Sequence, residues 1–262
     1  MIYGIIILAS LAVATLTFFS GFGLGTLLLP FFALFFPLDV AVAVTAIVHL
    51  LNNLFKLFLI GKNAHLKTVL IFGIPAIIFS FLGAYLLNFL SDIEPIFQYE
   101  IYSKIFKIEF VKIVIALLLV FFAFFELHNK LRELTFNRKF LILGGTLSGF
   151  FGGLSGQQGA LRSAFLSKIG LSKEQFIGTS IVTAVLVDIA RLSIYGIYIF
   201  HNDISMLQND TILTLIAVGT SSAFLGSIIG MKLLKKITFK TIQIFVGVLL
   251  LIIAFLLGFG II

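Results

Sequence analysis

"GGLSGQQGALR", Gly152 to Arg162, interrupts an oily chain with glycines, two glutamines and an arginine. Such a stretch can be a lipid-facing kink, a solvent loop, or a helix break held inside the membrane. The rest of the chain narrows the choice. Of 262 residues, 60% are hydrophobic and 11% charged, with a mean hydropathy of +1.20, well beyond the apolar share of soluble domains. Runs such as Thr68 to Leu90 and Thr241 to Ile262 have the roughly 20 residues needed to cross a hydrocarbon core of about 30 Å. A closed barrel would need alternating segments of about ten residues, which this chain lacks. The fold class is therefore an all-α integral membrane protein. Irregular backbone at membrane depth is tolerated only inside protein or beside a water-filled cavity, which removes the lipid-facing kink and leaves the solvent loop as the competing reading.

Several function classes fall away. The first apolar run, Ile2 to Phe19, lacks the basic start and small-residue cleavage site of a signal peptide and is read as structure. There is no cysteine, hence no thiolate site, disulfide or redox switch. His49, His65, His128 and His201 are dispersed without ligand spacing, so no metal and no cofactor is expected. The net charge of +7 is scattered among short loops, where it sets orientation and is not read as a nucleic-acid surface. Ser155 in "GGLSGQ" has a faint likeness to a nucleophile motif, but no in-membrane histidine stands ready as its base, so no enzyme is expected.

The chain also reads as a duplication. At an offset of 134 residues, Gly25 meets Gly159, Thr45 meets Thr179 and Val48 meets Val182. Further on, "SFLGAYLL" at Ser80 to Leu87 meets "AFLGSIIG" at Ala223 to Gly230. Glycine-rich breaks recur as "SGFGLG" at Ser20 to Gly25 and "LSGQQG" at Leu154 to Gly159. Two repeats follow, 1–134 and 135–262, forming one membrane domain with about eight membrane segments. Each repeat has a broken element, Ile2 to Phe36 or Phe140 to Ile169, followed by three spans. These are Val40 to Ile60, Thr68 to Leu90 and Glu109 to Leu127, then Glu174 to Phe200, Asp210 to Leu234 and Thr241 to Ile262. Ser91 to Glu109, the longest polar interval, is read as a loop.

Loop charges arbitrate between spanning and re-entrant breaks, because Lys and Arg collect on the cytoplasmic side. With re-entrant hairpins, only Lys104, Lys107 and Lys112 fall outside, whereas full crossings put Lys62, Lys67, Lys130, Arg132, Arg138 and Lys139 there. The hairpin reading makes the repeats inverted and sets all six tyrosines, Tyr195 included, near the outer face. At 1.5 Å per residue, Ile2 to Phe19 is long for half a hairpin, so re-entrant against spanning stays open.

Inverted repeats with discontinuous helices are the architecture of secondary transporters, with the ligand where the breaks meet. A helix starting at mid-membrane presents unpaired amides and the positive end of its dipole, which suits an anion. Gly23, Gly25 and Thr26 hold that place in the first repeat, and Ser155, Gln157, Gln158, Gly159 and Ala160 in the second. Arg162, three residues into the second half-helix, either faces a polar cavity or snorkels to an interface. Thr45, His49, Asn52 and Lys56 share one helical stripe, with Asn53 beside it and Thr179 as the counterpart of Thr45. They suit the wall of a substrate path, the plainer reading being interhelical glue. Asp188 and Arg191, three apart, read first as an intrahelical pair and second as a gate.

At these residues the chain resembles the sulfite exporter TauE/SafE family, also called the toluene-sulfonate uptake permeases. The likeness is carried by "SGFGLGTLLLPFFALFFPLDVAVAVTAIVHLLNN" and "GGLSGQQGALRSAFLSKIGLSKEQFIGTSIV" and extends over essentially the whole chain. It implies a multi-pass transporter of sulfur-containing anions such as sulfite or organosulfonates. The family's usual second break resembles GxGG followed by an apolar run with a proline. Here Gln157 and Gln158 take glycine positions and Arg162 enters the apolar run, adding donors for an oxyanion. The expectation is a secondary transporter in the cytoplasmic membrane moving a small anion by alternating access. The alternatives are a proton-linked permease for another solute and a non-transporting scaffold or receptor. The partners are the anion and the lipid bilayer, with proton or ion coupling and homodimerisation left open.

Overall fold

The structure, a computed structural model, describes residues 2–18, 24–102, 104–132, 134–202, 210–233 and 239–261. The first half builds α1 (Ile2–Thr17), α2 (Leu24–Ala33), α3 (Leu38–Ile60), α4 (Leu66–Ser91) and α5 (Phe110–Leu127). After a single turn, α6 (Asn129–Arg132), come α7 (Leu141–Ser155), α8 (Gly159–Leu166), α9 (Lys173–Asn202), α10 (Asp210–Leu233) and α11 (Phe239–Gly258). Five helices, α3, α4, α5, α9 and α10, are long and apolar enough to cross a membrane among the described residues. Ile2–Thr17, Leu24–Ala33 and the stretch Val246–Gly258 are apolar but shorter.

The interval read as a loop is not one. It holds two antiparallel strands, β1 (Phe97–Ile101) and β2 (Lys104–Ile108), with Phe97 opposite Ile108 and Ile101 opposite Lys104. The ring of Tyr99 stacks on Phe106 at 5.2 Å, and its hydroxyl donates to the Phe259 carbonyl at 2.5 Å. A cross-strand aromatic pair of this kind stabilises a hairpin, and here it also ties the hairpin to the end of α11. The charged residues of this interval hid that pairing from a hydropathy reading.

The distribution of polarity is that of a membrane protein. Along α4 the exposed residues include Leu66, Leu70, Ile74, Ile78, Phe81, Leu82, Tyr85 and Phe89, a nearly continuous apolar stripe suited to lipid. The interior instead collects His49, Asn52, Asn53, Lys56, Arg162, Asp188 and Arg191. Polar groups at membrane depth face inward because hydrocarbon cannot satisfy them. The chain is thus a multi-pass membrane protein.

Glycines set how closely its helices approach. A Cβ added at Gly145, Gly149 or Gly153 of α7 would lie 2.1 Å from the carbonyl oxygen of Phe72, Ala76 or Ser80 of α4. Small residues four apart let the two backbones touch, the usual device for packing helices in lipid. On α10, Gly226 and Gly230 meet the Leu11 and Thr15 carbonyls of α1 in the same way, at 2.4 and 2.7 Å. Beyond these seams, α3 packs on α9 and α10, α4 on α9, and α5 on α11.

The second break turns the chain back. Gly156 ends α7 at φ 78, a left-handed conformation that favours glycine. The Ser148 hydroxyl then donates to the Gln158 carbonyl at 2.8 Å, and Phe165 near the end of α8 packs over Gly144 near the start of α7. Phe136, ahead of α7, stacks on Phe165 at 4.2 Å and its amide donates to the Ala164 carbonyl at 3.2 Å. Helices α7 and α8 therefore form a hairpin whose two outer ends lie side by side. Of the six tyrosines, Tyr195 is buried, and its hydroxyl donates to the Gly153 carbonyl.

Candidate functional site

The two breaks meet. A Cβ on Gly25, in the first turn of α2, would stand 3.6 Å from the Gly156 carbonyl and 3.5 Å from the His49 ring. These are ordinary van der Waals distances, so the first turn of α2, the second break and α3 are in direct contact at this point.

Beside this junction lies Asp188 of α9, fully buried. Its Oδ1 accepts from Arg191 Nε at 3.0 Å, Arg191 Nη2 at 2.7 Å and Gln158 Nε2 at 3.1 Å. Its Oδ2 accepts from Asn53 Nδ2 at 3.2 Å and from His49 Nδ1 at 2.7 Å. Because a carboxylate only accepts, the His49 Nδ1 carries the proton in this contact. Arg191 Nη1 also reaches the Gly152 carbonyl at 3.4 Å. One carboxylate thus joins α3, α7, α9 and the second break. The intrahelical pair expected of Asp188 and Arg191 exists, and it forms the centre of a larger network.

Against this network lies a small cavity of about 20 Å³. His49, Asn53 and Lys56 of α3, Arg162 of α8 and Ser180 of α9 supply most of its polar wall. Thr17, Phe18 and Leu24 close it from the first break. Lys56 and Arg162 are both buried, at 5% and 2% exposure. Arg162 Nη1 donates to Gln158 Oε1 at 2.9 Å, and the Lys56 ammonium sits 5.2 Å over the Phe18 ring. The Asn52 amide faces the Ala223 carbonyl, the Ser227 hydroxyl and Lys56 Nζ at 3.2, 2.8 and 3.3 Å. All three contacts are satisfied when its nitrogen points to α10 and its oxygen accepts from Lys56. No carboxylate lines the cavity among the described residues. The Ser180 hydroxyl is buried without a hydrogen-bond partner.

A second small cavity, of about 10 Å³, lies between α2, α5, α8 and α11, lined by Thr26, Phe122, Glu126, Gln157, Ala160, Val246 and Leu250. Neither amide atom of Gln157 has a hydrogen-bond partner there. The candidate residues therefore separate. His49, Asn53, Lys56 and Arg162 line the first cavity, while Thr26, Gln157 and Ala160 line the second. Gly159 opens α8, which no side chain caps. The Ser155 hydroxyl turns back to the Phe151 carbonyl at 3.1 Å, and the Thr45 hydroxyl is buried without a hydrogen-bond partner. Thr179 stands apart, accepting from the His65 amide at 2.9 Å near the start of α4. Gly23 lies outside the described residues. Among the described residues no group of three His, Asp or Glu side chains could hold a metal.

Among the wall residues that were not singled out from the sequence are Ser180 and Glu126. Ser180 falls on the stripe of Ala184 and Asp188, four and eight residues on, so helical periodicity from Asp188 could have found it. Glu126, the one acid within the apolar run Phe110–Leu127, was legible only as an unexplained charge near a helix end.

No curated protein and no solved structure matches the chain. The family described as sulfite exporter TauE/SafE matches residues 6–257, nearly the whole length, and the chain belongs to this family of membrane transporters.

Proposed function

We propose that the protein carries a small sulfur oxyanion, sulfite or an organosulfonate, across the cytoplasmic membrane by alternating access, binding it in the cavity between Lys56 and Arg162. The observation that carries this reading is the unequal charge of the buried site. Asp188 is answered by Arg191 and by the His49 N–H, while Lys56 and Arg162 both face a cavity without a carboxylate on its wall. In a low-dielectric interior an anion placed between two cations is attracted by both far more strongly than in water. A bound oxyanion also gains charge-assisted hydrogen bonds. Asn53 and the Ser180 hydroxyl complete its shell. The uncapped start of α8 adds its dipole from one turn away.

The preference for sulfur oxyanions rests on the family. Alternating access rests on the repeats, 1–134 and 135–262, which we take to be inverted. Exchanged packing supports a two-fold relation between the repeats: α1 lies on α10 as α7 lies on α4, and α3 on α10 as α9 on α4. The site lies where the two breaks meet, the position from which one repeat can rock against the other.

Purified protein in vesicles should exchange radiolabelled sulfite or a sulfonate, and Arg162→Ala should abolish that exchange. Uptake of a neutral or cationic solute that survives Arg162→Ala would favour a different permease. No flux of any anion would favour a scaffold or receptor.

A further inference from the structure

The second cavity has a chemistry that anion binding does not use. Glu126, next to last in α5, is buried at 3% exposure inside an otherwise apolar membrane helix, where carboxyl groups are rare and mark function. It shares the cavity with Gln157, also 3% exposed, whose amide nitrogen and oxygen both lack hydrogen-bond partners. The same wall carries Thr26 and Ala160, in the first turns of α2 and α8. The half-helices thus have two sides. One side looks at Lys56 and Arg162, the other at a carboxyl group beside an amide with unused donor and acceptor capacity.

We propose that Glu126 is a proton-binding site that couples anion movement to the proton gradient. The inference rests on the anion-transport reading. The field of the uncapped start of α8 extends into both cavities, so a carboxylate at Glu126 competes with the bound anion for the same positive end. Taking a proton from water onto a Glu126 carboxylate oxygen removes that competition. Anion binding and proton binding therefore favour each other reciprocally, and the pair crosses as a symport. Gln157 serves both states, donating from its nitrogen to the carboxylate and accepting at its oxygen from the carboxylic acid. On the described cavity wall, Thr26 of α2, Gln157, Ala160 of α8, and Val246, Gly247 and Leu250 of α11 are not titratable, and the titratable groups that follow Glu126 along the chain are His128, Lys130 and Arg132, at the end of α5 and on α6. The nearest charge on α8 is Arg162, which faces the other cavity.

The test uses vesicles holding the full chain, with radiolabelled thiosulfate and sulfite as probes. Thiosulfate keeps its charge at neutral pH and carries no proton itself. In the native protein an inward proton gradient should drive uptake above the equilibrium level and acidify the lumen. Glu126→Gln should keep anion-for-anion exchange and lose the response to the gradient. Gln157→Leu should weaken that response by about tenfold, the usual scale of coupling between sites. Gradient-driven uptake that persists in Glu126→Gln would overturn the proposal and leave the anion reading standing. Loss of exchange together with the gradient response, in a Glu126→Gln protein that keeps the native melting temperature, would also overturn it, because the carboxylate would then belong to the anion path. Absence of exchange in the native protein would instead sink the transport reading itself.

Discussion

At the scale of single residues, Asp188 does most to define the site. It is fully buried, and Arg191, His49, Gln158 and Asn53 all donate to it. Removing one charge of a buried pair leaves the partner uncompensated, at a cost of about 3 to 5 kcal/mol. Asp188→Asn should therefore lower the unfolding free energy by about 3 kcal/mol, read as a fall in melting temperature in detergent. An unchanged melting temperature would mean that Arg191 finds another partner and that the carboxylate does not organise the junction. Of the polar stripe on α3, the sequence made Thr45, His49, Asn52 and Lys56 legible through helical spacing alone. It could not show that Asn52 turns to Ser227 of α10 while His49 turns to Asp188 of α9. Neighbours on one stripe divide between partners from distant parts of the chain, and only packing decides which side chain meets which.

At the scale of elements, the glycine breaks and long apolar runs were readable because both follow from local chemistry. Helices α3, α4, α9 and α10 begin within a few residues of the expected spans. The strands β1 and β2 were not readable, because their stability comes from Tyr99 on Phe106 and from docking onto α11, contacts that hydropathy does not register. The hairpin of α7 and α8 carries the topology. Phe136 beside Phe165 puts the start of α7 next to the end of α8; the re-entrant reading of the break then predicts Arg138 and Lys168 on one side of the membrane and Lys107 on the other. The chain has no cysteine, so single substitutions Arg138→Cys, Lys168→Cys and Lys107→Cys give a clean background for labelling with an impermeant maleimide. The first two should label from the same side and the third from the opposite side. Labelling of Arg138→Cys and Lys168→Cys from opposite sides would mean that the broken element crosses.

At the scale of the whole molecule, the architecture is explained by where polar groups can go in lipid. The apolar stripe of α4 faces outward, glycine seams draw α4 to α7 and α1 to α10, and the charges collect where the two breaks meet. The sequence pointed to that meeting place through the recurrence of its glycine breaks. It did not show that the half-helices separate a cationic cavity from one holding a carboxyl group, since Glu126 lies far along the chain from both breaks. The central claim is that Lys56 and Arg162 hold the anion, and ligand-dependent thermal stabilisation tests it most directly. A ligand bound only by the folded state raises the melting temperature by mass action. Native protein titrated with sulfite, thiosulfate and sulfonates should show a saturable rise for at least one of them. Lys56→Met and Arg162→Met should each weaken that binding by about ten- to a hundredfold, the cost of losing one buried charge contact. A rise of the same size at the same concentrations in both variants would contradict the account.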